Sequence, residues 1–429
     1  MERIAVIGAG IAGMAAAHTL VQAPHARHIT LLEASNHFGG HANTVDVTLD
    51  GVTHGVDTGF LVYNERTYPG LIQLFSELGV PTVASDMSFS VQARNDGLTW
   101  SGTSLATVFA QKRNLLKADF WRMLRDILRF NRLATELAEQ SDSPQPQQTT
   151  EAFLTTHGFS RAFQDWYLLP MIACIWSCPR ERMLAFPIAS LIRFCHNHGL
   201  LQVTQRPQWF TVRGGSREYV RRLIARLPDA RLNTPVMSVR RLPSGALVQT
   251  EGGSEHFDQV IFACHPDQTL RLLGDDASVG ERKVLGAIRY QPNRAVLHTD
   301  ASLLPEQRAA WAAWNYETGG TDTREAVCLH YWINQLQPLP WQQPVIVSLN
   351  PLREPEPTQV IQTFEYDHPV FDAAALAAQQ RLSALQGLRG TWYCGAWTGY
   401  GFHEDGLRSG QLVANALMQT EDAPWQDAA

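Results

Sequence analysis

Gly8, Gly10 and Gly13 stand at GxGxxG spacing directly after the apolar run 3–7, and Glu33 follows twenty residues beyond the last of them. Glycines so placed let a strand turn sharply into a helix, let backbone close on a pyrophosphate and let the helix pack against the strand. The start of that helix, at Ile11 and Ala12, then turns unpaired N–H groups and the positive end of its dipole toward phosphate. Residues 29–33 read as the next strand, which delivers Glu33 where an adenosine ribose presents its hydroxyls; a carboxylate there disfavours a 2′-phosphate. The motif alone admits either NAD or FAD, and glycine turns also occur without a ligand.

The elements that must position these residues can be read in outline. Past Glu33, Ala34 leads into a loop with the pair Gly39-Gly40 ahead of His41. Residues 53–60 read as a strand ending in a glycine turn at Gly59 and Phe60. Residues 68–79 have apolar spacing of three and four and a terminal glycine, so a helix is predicted. From 104 to 139 the pattern is helical and carries Lys112, Arg113, Lys117, Arg122, Arg125, Arg129 and Arg132 against Asp119 and Asp126. Such a face is either simply solvated or docks on an anionic membrane, where each basic residue adds roughly 1 kcal/mol.

Residues 141–148 form a polar, proline-bearing linker. The aromatic-rich stretch after it contains Phe163, Trp166, Tyr167, Trp176, Phe186, Phe194, Trp209 and Phe210. Core packing is the ordinary reading of such residues, and their density also suits a capacious apolar cavity. A second glycine turn at 212–220 precedes strands at 236–239, 246–250 and 259–263, so the nucleotide-binding domain is discontinuous. Stretches 295–299, 327–332 and 345–349 alternate like an antiparallel sheet. A glycine-rich block at 391–410 then runs into a terminal helix, giving a second turn where backbone N–H groups can meet an anion or a carbonyl.

The bulk numbers fit a two-domain enzyme. The 429 residues are 45% hydrophobic and 18% charged, with a net charge of −6 that gives no drive toward nucleic acid. No apolar run is long enough to span a membrane, and the first apolar stretch lacks signal-peptide flanks, so a cytoplasmic protein is expected. Six scattered cysteines, with Cys174 and Cys178 four apart and no second pair, give no metal-binding spacing, and no metal is expected.

Four blocks together carry a resemblance: Gly8 to Gly13 with Glu33; Gly39-Gly40; Gly214-Gly215 with Val236 and the strand ending at Ala263; and Gly395 with Ser409-Gly410. Their order resembles the flavin-containing amine oxidase and phytoene desaturase superfamily, over nearly the whole chain. The resemblance implies an α/β fold: a discontinuous glutathione-reductase-type FAD-binding Rossmann domain (1–80, 205–285 and 385–420) and an α+β substrate domain of antiparallel sheet and helices (81–204 and 286–384). By it, Gly8 to Gly13 hold the FAD pyrophosphate, Glu33 the ribose and Val236 the adenine edge, while Gly395, Gly406, Leu407 and Ser409 close on the pyrophosphate and flavin from the far end. Asp57 and Gly59 resemble the residues under the isoalloxazine.

Departures from the amine oxidases matter too. His41 replaces their arginine after the glycine pair, and Arg294 stands where they place a lysine near flavin N5. No cysteine lies in the C-terminal loop for covalent attachment, so FAD is expected to be non-covalent. The aromatic cage for an amine is partial, with Tyr63, Trp397 and Tyr400 as its members.

Blocks 57–64 and 401–410 look like those of a bacterial subgroup similar to desaturases and associated with modified fatty acyl lipids. The expected activity is therefore hydride transfer from a C–C bond of an apolar or lipid substrate to FAD. His54, His298, His403 and Glu404 are the candidate bases by type, with Tyr63 and Arg294 as further catalytic candidates; His403 and Glu404 also suit a role in orienting the flavin loop. The competing readings are an amine or amino-acid oxidase and a non-catalytic flavoprotein that binds lipid or a partner. The electron acceptor and the oligomeric state are not legible in the sequence.

Overall fold

A five-stranded parallel sheet underlies the nucleotide motif in this computed structural model, which describes residues 1–139, 148–176, 180–202, 206–319 and 327–420. The strands run in the order Asp229–Arg231, Arg27–Leu32, Glu2–Ile7, Gln259–Phe262, Thr391–Tyr393. Three distant stretches of chain thus meet in one sheet. Its central strand is covered on both faces, which is why it reads as an unbroken apolar run. Ile4 and Val6 enter the core beneath the helices Ile11–Val21 and His403–Thr420. Ala5 and Ile7 face the opposite core, under the antiparallel sheet Val236–Leu242, Gly245–Thr250, Gly253–Phe257 and the helices Pro266–Leu273 and Val279–Leu285. The two helices of the first layer cross closely, since a Cβ at Gly410 would overlap the carbonyl oxygen of Ala12.

A second, seven-stranded sheet has the order Val360–Val370, Arg289–His298, Ile346–Leu349, Cys328–Trp332, Trp314–Thr318, Phe89–Ala93, Leu98–Ser101, antiparallel at every step but the pairing of Trp314–Thr318 with Phe89–Ala93. Leu297, Val347, Leu329 and Leu349 fill its apolar face. On the other face a buried polar row crosses four strands: His298 Nε2 to Ser348 Oγ at 2.7 Å, Ser348 Oγ to His330 Nδ1 at 2.6 Å, and His330 Nε2 to Glu317 at 2.9 Å, with Arg94 against Glu317 at the end. Buried polar side chains are tolerable only when so connected.

Helices cover the far side of this domain. Ala118–Glu139, Thr150–Thr156, Leu169–Trp176 and Ile188–Asn197 enclose an aromatic core. Phe163, Tyr167, Trp176 and Phe186 pack there as core, while Phe194 and Trp209 of the same aromatic stretch line a cavity. The helical pattern from 104 onward is also segmented, into Leu105–Val108, a 3₁₀ turn Lys112–Leu116 and Ala118–Glu139. Gln111 and Asn114 bond the backbone of Thr99, and these side-chain bonds compete with a continuous helix. Residues 141–147 of the linker 141–148, and Cys178, lie outside the described residues.

Candidate functional site

One cavity of about 670 Å³ runs from Glu33 at the edge of the parallel sheet, past both glycine turns, to the junction with the second sheet. Its first third is built from backbone. Gly8 sits at φ 103°, a region that costs an L side chain dearly, and turns the chain from strand into helix. A Cβ on Gly10 would meet no heavy atom within 4 Å, so that side of the turn opens freely on the cavity, whereas a Cβ on Gly13 would overlap the carbonyl oxygen of Gly8. Glu33 Oε2 accepts from the Ala9 N–H at 2.8 Å, and Oε1 accepts from the Ser35 N–H at 2.9 Å and its hydroxyl at 2.8 Å. These bonds fix the carboxylate at the cavity's end. Thr234 and Val236 line the wall beside it, held there by the bond from Thr234 N–H to the Glu33 carbonyl at 2.8 Å.

The middle of the cavity brings together Ala34, Gly40, His41, Gly59, Phe60, Gly395, Ala396, Trp397 and His403. Phe60 N–H donates to the His41 carbonyl at 2.7 Å, and the Phe60 ring stacks on His403 with centroids 4.0 Å apart. His403 Nε2 meets the Tyr219 hydroxyl at 2.6 Å, and burial pushes its pKa down to about 3, so the ring is neutral. Burial likewise holds His41 well below the usual histidine range, with His368, His265 and His403 adding to the effect. His41 Nε2 and Trp397 Nε1 are buried in this wall without a hydrogen-bond partner. Unpaired buried donors or acceptors are costly and call for a ligand group. Together with the open side of Gly10 and the fixed Glu33 carboxylate, they make the residues present a fit for FAD.

Other expected FAD residues shape the cavity without lining it. Asp57 is buried beneath it and accepts from the Ser216 N–H at 2.9 Å, the Ser216 hydroxyl at 2.8 Å, the Gln337 amide at 2.7 Å and the Thr44 hydroxyl. Burial outweighs these donors and lifts its pKa to about 6. This clamp ties the hairpin Thr44–Leu49 and Val52–Asp57 to the turn before the helix Arg217–Ile224, which carries Gly59 into place. Ser409 accepts from the Gly395 N–H at 2.9 Å, a Cβ on Gly406 would crowd Ile11, and Leu407 is fully buried. Gly13, Asp57, Gly406, Leu407 and Ser409 are thus scaffold around the site.

Five of the six catalytic candidates also fall outside the cavity wall, which His403 alone reaches. Glu404 accepts from the Gly70 and Leu71 N–H groups at 2.7 and 2.9 Å. It caps the helix Pro69–Leu78, whose own N-cap residue Tyr68 supplies no side-chain bond. Tyr63 packs among Tyr68, Phe75 and Phe210. Arg294 pairs with Glu354 at 2.5 Å on the face of its strand opposite Ala295 and Leu297, and is not among the residues that line the cavity. In a strand, one residue of register decides which face a side chain serves. His54 bonds the Gly55 carbonyl, His298 belongs to the polar row, and Tyr400 donates no wall: its carbonyl takes the Trp176 indole N–H at 3.2 Å.

The distal end is made of side chains: Met87, Cys174, Ile175, Phe194, His198, Leu200, Trp209, Trp314 and Tyr331. Reading of the sequence missed most of them. Trp314 and Tyr331 come from paired strands with their ring centroids 5.0 Å apart, and His198 stacks on Phe194 at 3.9 Å. The bond from His198 Nδ1 to the Phe194 carbonyl at 3.0 Å makes Nδ1 the donor and leaves Nε2 with its lone pair. Burial pushes this histidine down to about 4. Its only signal in the sequence was its place four residues after an aromatic at a helix end, which is no motif. Glu33 and Asp367 are the carboxylates in the cavity wall among the described residues, and Asp367 acts on His265, at the nucleotide side.

Among the described residues one group of three side chains is close enough to share an ion: Glu317, Cys328 and His330. Their atoms bond one another and Arg94 within the polar row, away from the cavity.

Comparison with known proteins agrees with this construction. The family model described as flavin containing amine oxidoreductase matches residues 11–302. A search of curated protein sequences finds no match. Among solved structures, the chain is similar to an Exiguobacterium protein assigned as a protoporphyrinogen oxidase (TM-score 0.68, 17% identity, 97% of this chain and 99% of that one). It is similar also to a fatty acid isomerase from P. acnes that produces CLA (0.66, 16%, 97% and 98%) and to cyclohexylamine oxidase from Brevibacterium oxydans (0.65, 15%, 98% and 99%). At such identities these likenesses show the fold. The family match covers more than half of the chain and reaches from the helix after the first glycine turn into the second sheet, so this chain belongs to the flavin-containing amine oxidoreductases and is an FAD-dependent oxidoreductase.

Proposed function

We propose that the enzyme dehydrogenates a C–C bond in an apolar substrate of the lipid class. The observation that carries this reading is the distal wall: three aromatic rings of Trp209, Trp314 and Tyr331, with Phe194, Ile175, Leu200 and Met87, and no carboxylate among the described residues there. A cationic amine would enter such a wall without a counter-ion, at a desolvation cost that an alkyl chain does not meet. Burying an acyl chain instead contributes roughly 0.8 kcal/mol per CH₂.

FAD held by Glu33, Gly10 and the middle of the cavity would supply the hydride acceptor for the substrate carbon. The second hydrogen leaves as a proton, so that a C–C single bond becomes a double bond. His198 is the residue proposed to take it, through the lone pair on Nε2; its ring is already neutral well above the pH at which it would titrate. Apolar walls keep water from the reacting carbon.

Anaerobic addition of unsaturated or methyl-branched acyl phospholipids is expected to bleach the bound flavin and give a product with one more double bond. His198→Gln should keep its flavin and slow this reduction by roughly a hundredfold. The same aromatic walls also favour a second reading, amine oxidation, since Trp faces attract cations. Flavin reduction by members of an amine panel, with lipids inert, would replace the first reading with the second.

A further inference from the structure

The first turns of the substrate domain expose apolar side chains in an unusual concentration. Leu116 is 90% exposed, Leu105 81%, Leu128 61% and Trp121 50%, and Leu115 is exposed as well. These five stand within 24 residues, while the other exposed large apolar side chains among the described residues are scattered over the rest of the chain. Single exposed apolar residues need no explanation, but a cluster does.

They share a face. On the helix Ala118–Glu139 the inner stripe is Phe120, Met123, Phe130 and Ala134, all buried. The opposite stripe, at steps of four, three and four, is Trp121, Arg125, Leu128 and Arg132. Trp121 is joined to the preceding turns: its indole N–H donates to the Leu115 carbonyl at 3.0 Å and its ring lies 5.5 Å from Phe109, one turn after Leu105. Residues 104–132 carry seven basic side chains and two aspartates, in a chain whose net charge is −6. Of the aspartates, Asp126 is buried with Arg125 and Arg129 at 4.0 and 3.9 Å, and Asp119 is paired with Arg122 at 2.8 Å. Arg113, Lys117 and Arg129 turn to the carbonyls of Gly97, Asp96 and His157, which leaves Arg125 and Arg132 on the outer stripe of a segment that is basic while the remainder of the chain is acidic.

We infer that this face docks on an anionic phospholipid membrane. Alternating apolar and arginine side chains on one helix stripe match a surface of acyl boundary and phosphate, into which leucine and tryptophan insert while arginines meet the headgroups. A second copy of the chain fits poorly, because a two-fold contact would set this basic face against itself. Among the described residues no helix is long and apolar enough to cross a membrane, so contact of this kind is peripheral. It stands apart from the substrate reading, because docking is measured without turnover.

The test is co-sedimentation of the flavin-loaded full chain with vesicles of phosphatidylcholine alone or with one part in three of phosphatidylglycerol. Binding is expected to the anionic vesicles only and to weaken as salt rises. The double variant Leu116→Ser/Trp121→Ser and the double variant Arg125→Glu/Arg132→Glu should each lower it by roughly tenfold or more, with flavin content and Tm retained. Quenching of tryptophan fluorescence by brominated acyl chains should shrink in Trp121→Phe. Absence of binding, or binding indifferent to both double variants, would overturn the inference. So would a concentration-dependent dimer that the same variants dissolve, which would assign the face to a second copy.

Discussion

At the nucleotide end the cavity wall is main chain, held by Gly8, Gly10, Gly39 and Gly40 and by a carboxylate that itself bonds to backbone N–H groups. At the distal end the wall is side chain, gathered from a loop at Met87, helices at Cys174 and Phe194, and strands at Trp209, Trp314 and Tyr331. The first kind of wall tolerates almost no substitution, because backbone atoms cannot repack. The second tolerates exchange of one ring for another as long as the volume is kept. Cofactor binding and substrate choice are thus set by different materials, which lets one change while the other stays.

The largest effect should come from forcing a side chain into the backbone wall. Gly13→Ala sets a methyl group against the Gly8 carbonyl oxygen and should destabilise the apo-protein by about 2–3 kcal/mol, with loss of retained flavin. Gly10→Ala meets no protein atom, so it should leave the apo Tm nearly unchanged and still weaken FAD binding by roughly tenfold or more, because its methyl group projects into the space a pyrophosphate approaches. Tm of the apo-protein and flavin Kd, measured on both variants, separate the two effects. Equal Tm losses in both would mean that the turn is merely structural.

A smaller, opposite signature is expected at the distal end. Leu200→Trp fills part of the side-chain wall and should raise KM for a long apolar substrate by roughly tenfold, an overpacking cost of about 1–2 kcal/mol, with flavin content unchanged. Loss of flavin in this variant would show that the two ends are not separable.

This contrast also explains what could be read in the chain beforehand. Gly8, Gly10, Gly40, Gly395, Glu33 and Val236 were legible because backbone chemistry needs particular residues at particular spacings, and those residues do line the cavity. Asp57, Leu407 and Ser409 were legible as a group but belong one layer out, where they hold the wall in place. The distal wall was not legible, since a large apolar residue looks the same whether it fills a core or faces a cavity. Phe163 and Phe194 come from one aromatic stretch, yet only Phe194 reaches the cavity. Glu404 stood next to a cavity histidine in sequence and turned instead to the end of a neighbouring helix.

Arg294 gives the smallest expected effect and the sharpest check on register. Its strand pairs Ala295 with Leu349 and Phe364, which sends Ala295 and Leu297 into the apolar face and Arg294 to the other side. There it meets Glu354 with the arginine side chain 37% exposed and the glutamate 68% exposed. Exposed pairs of this kind contribute about 0–1 kcal/mol, because solvent screens the charges and both side chains lose entropy. Arg294→Gln should therefore shift Tm by no more than a few degrees and leave the flavin spectrum and the rate of flavin reduction unchanged. A cationic group facing the cavity would behave otherwise: its removal would alter the charge felt by the flavin and shift its reduction potential. A changed potential in Arg294→Gln would place this side chain on the face of Ala295 and Leu297, and with it change the register of this part of the strand Arg289–His298.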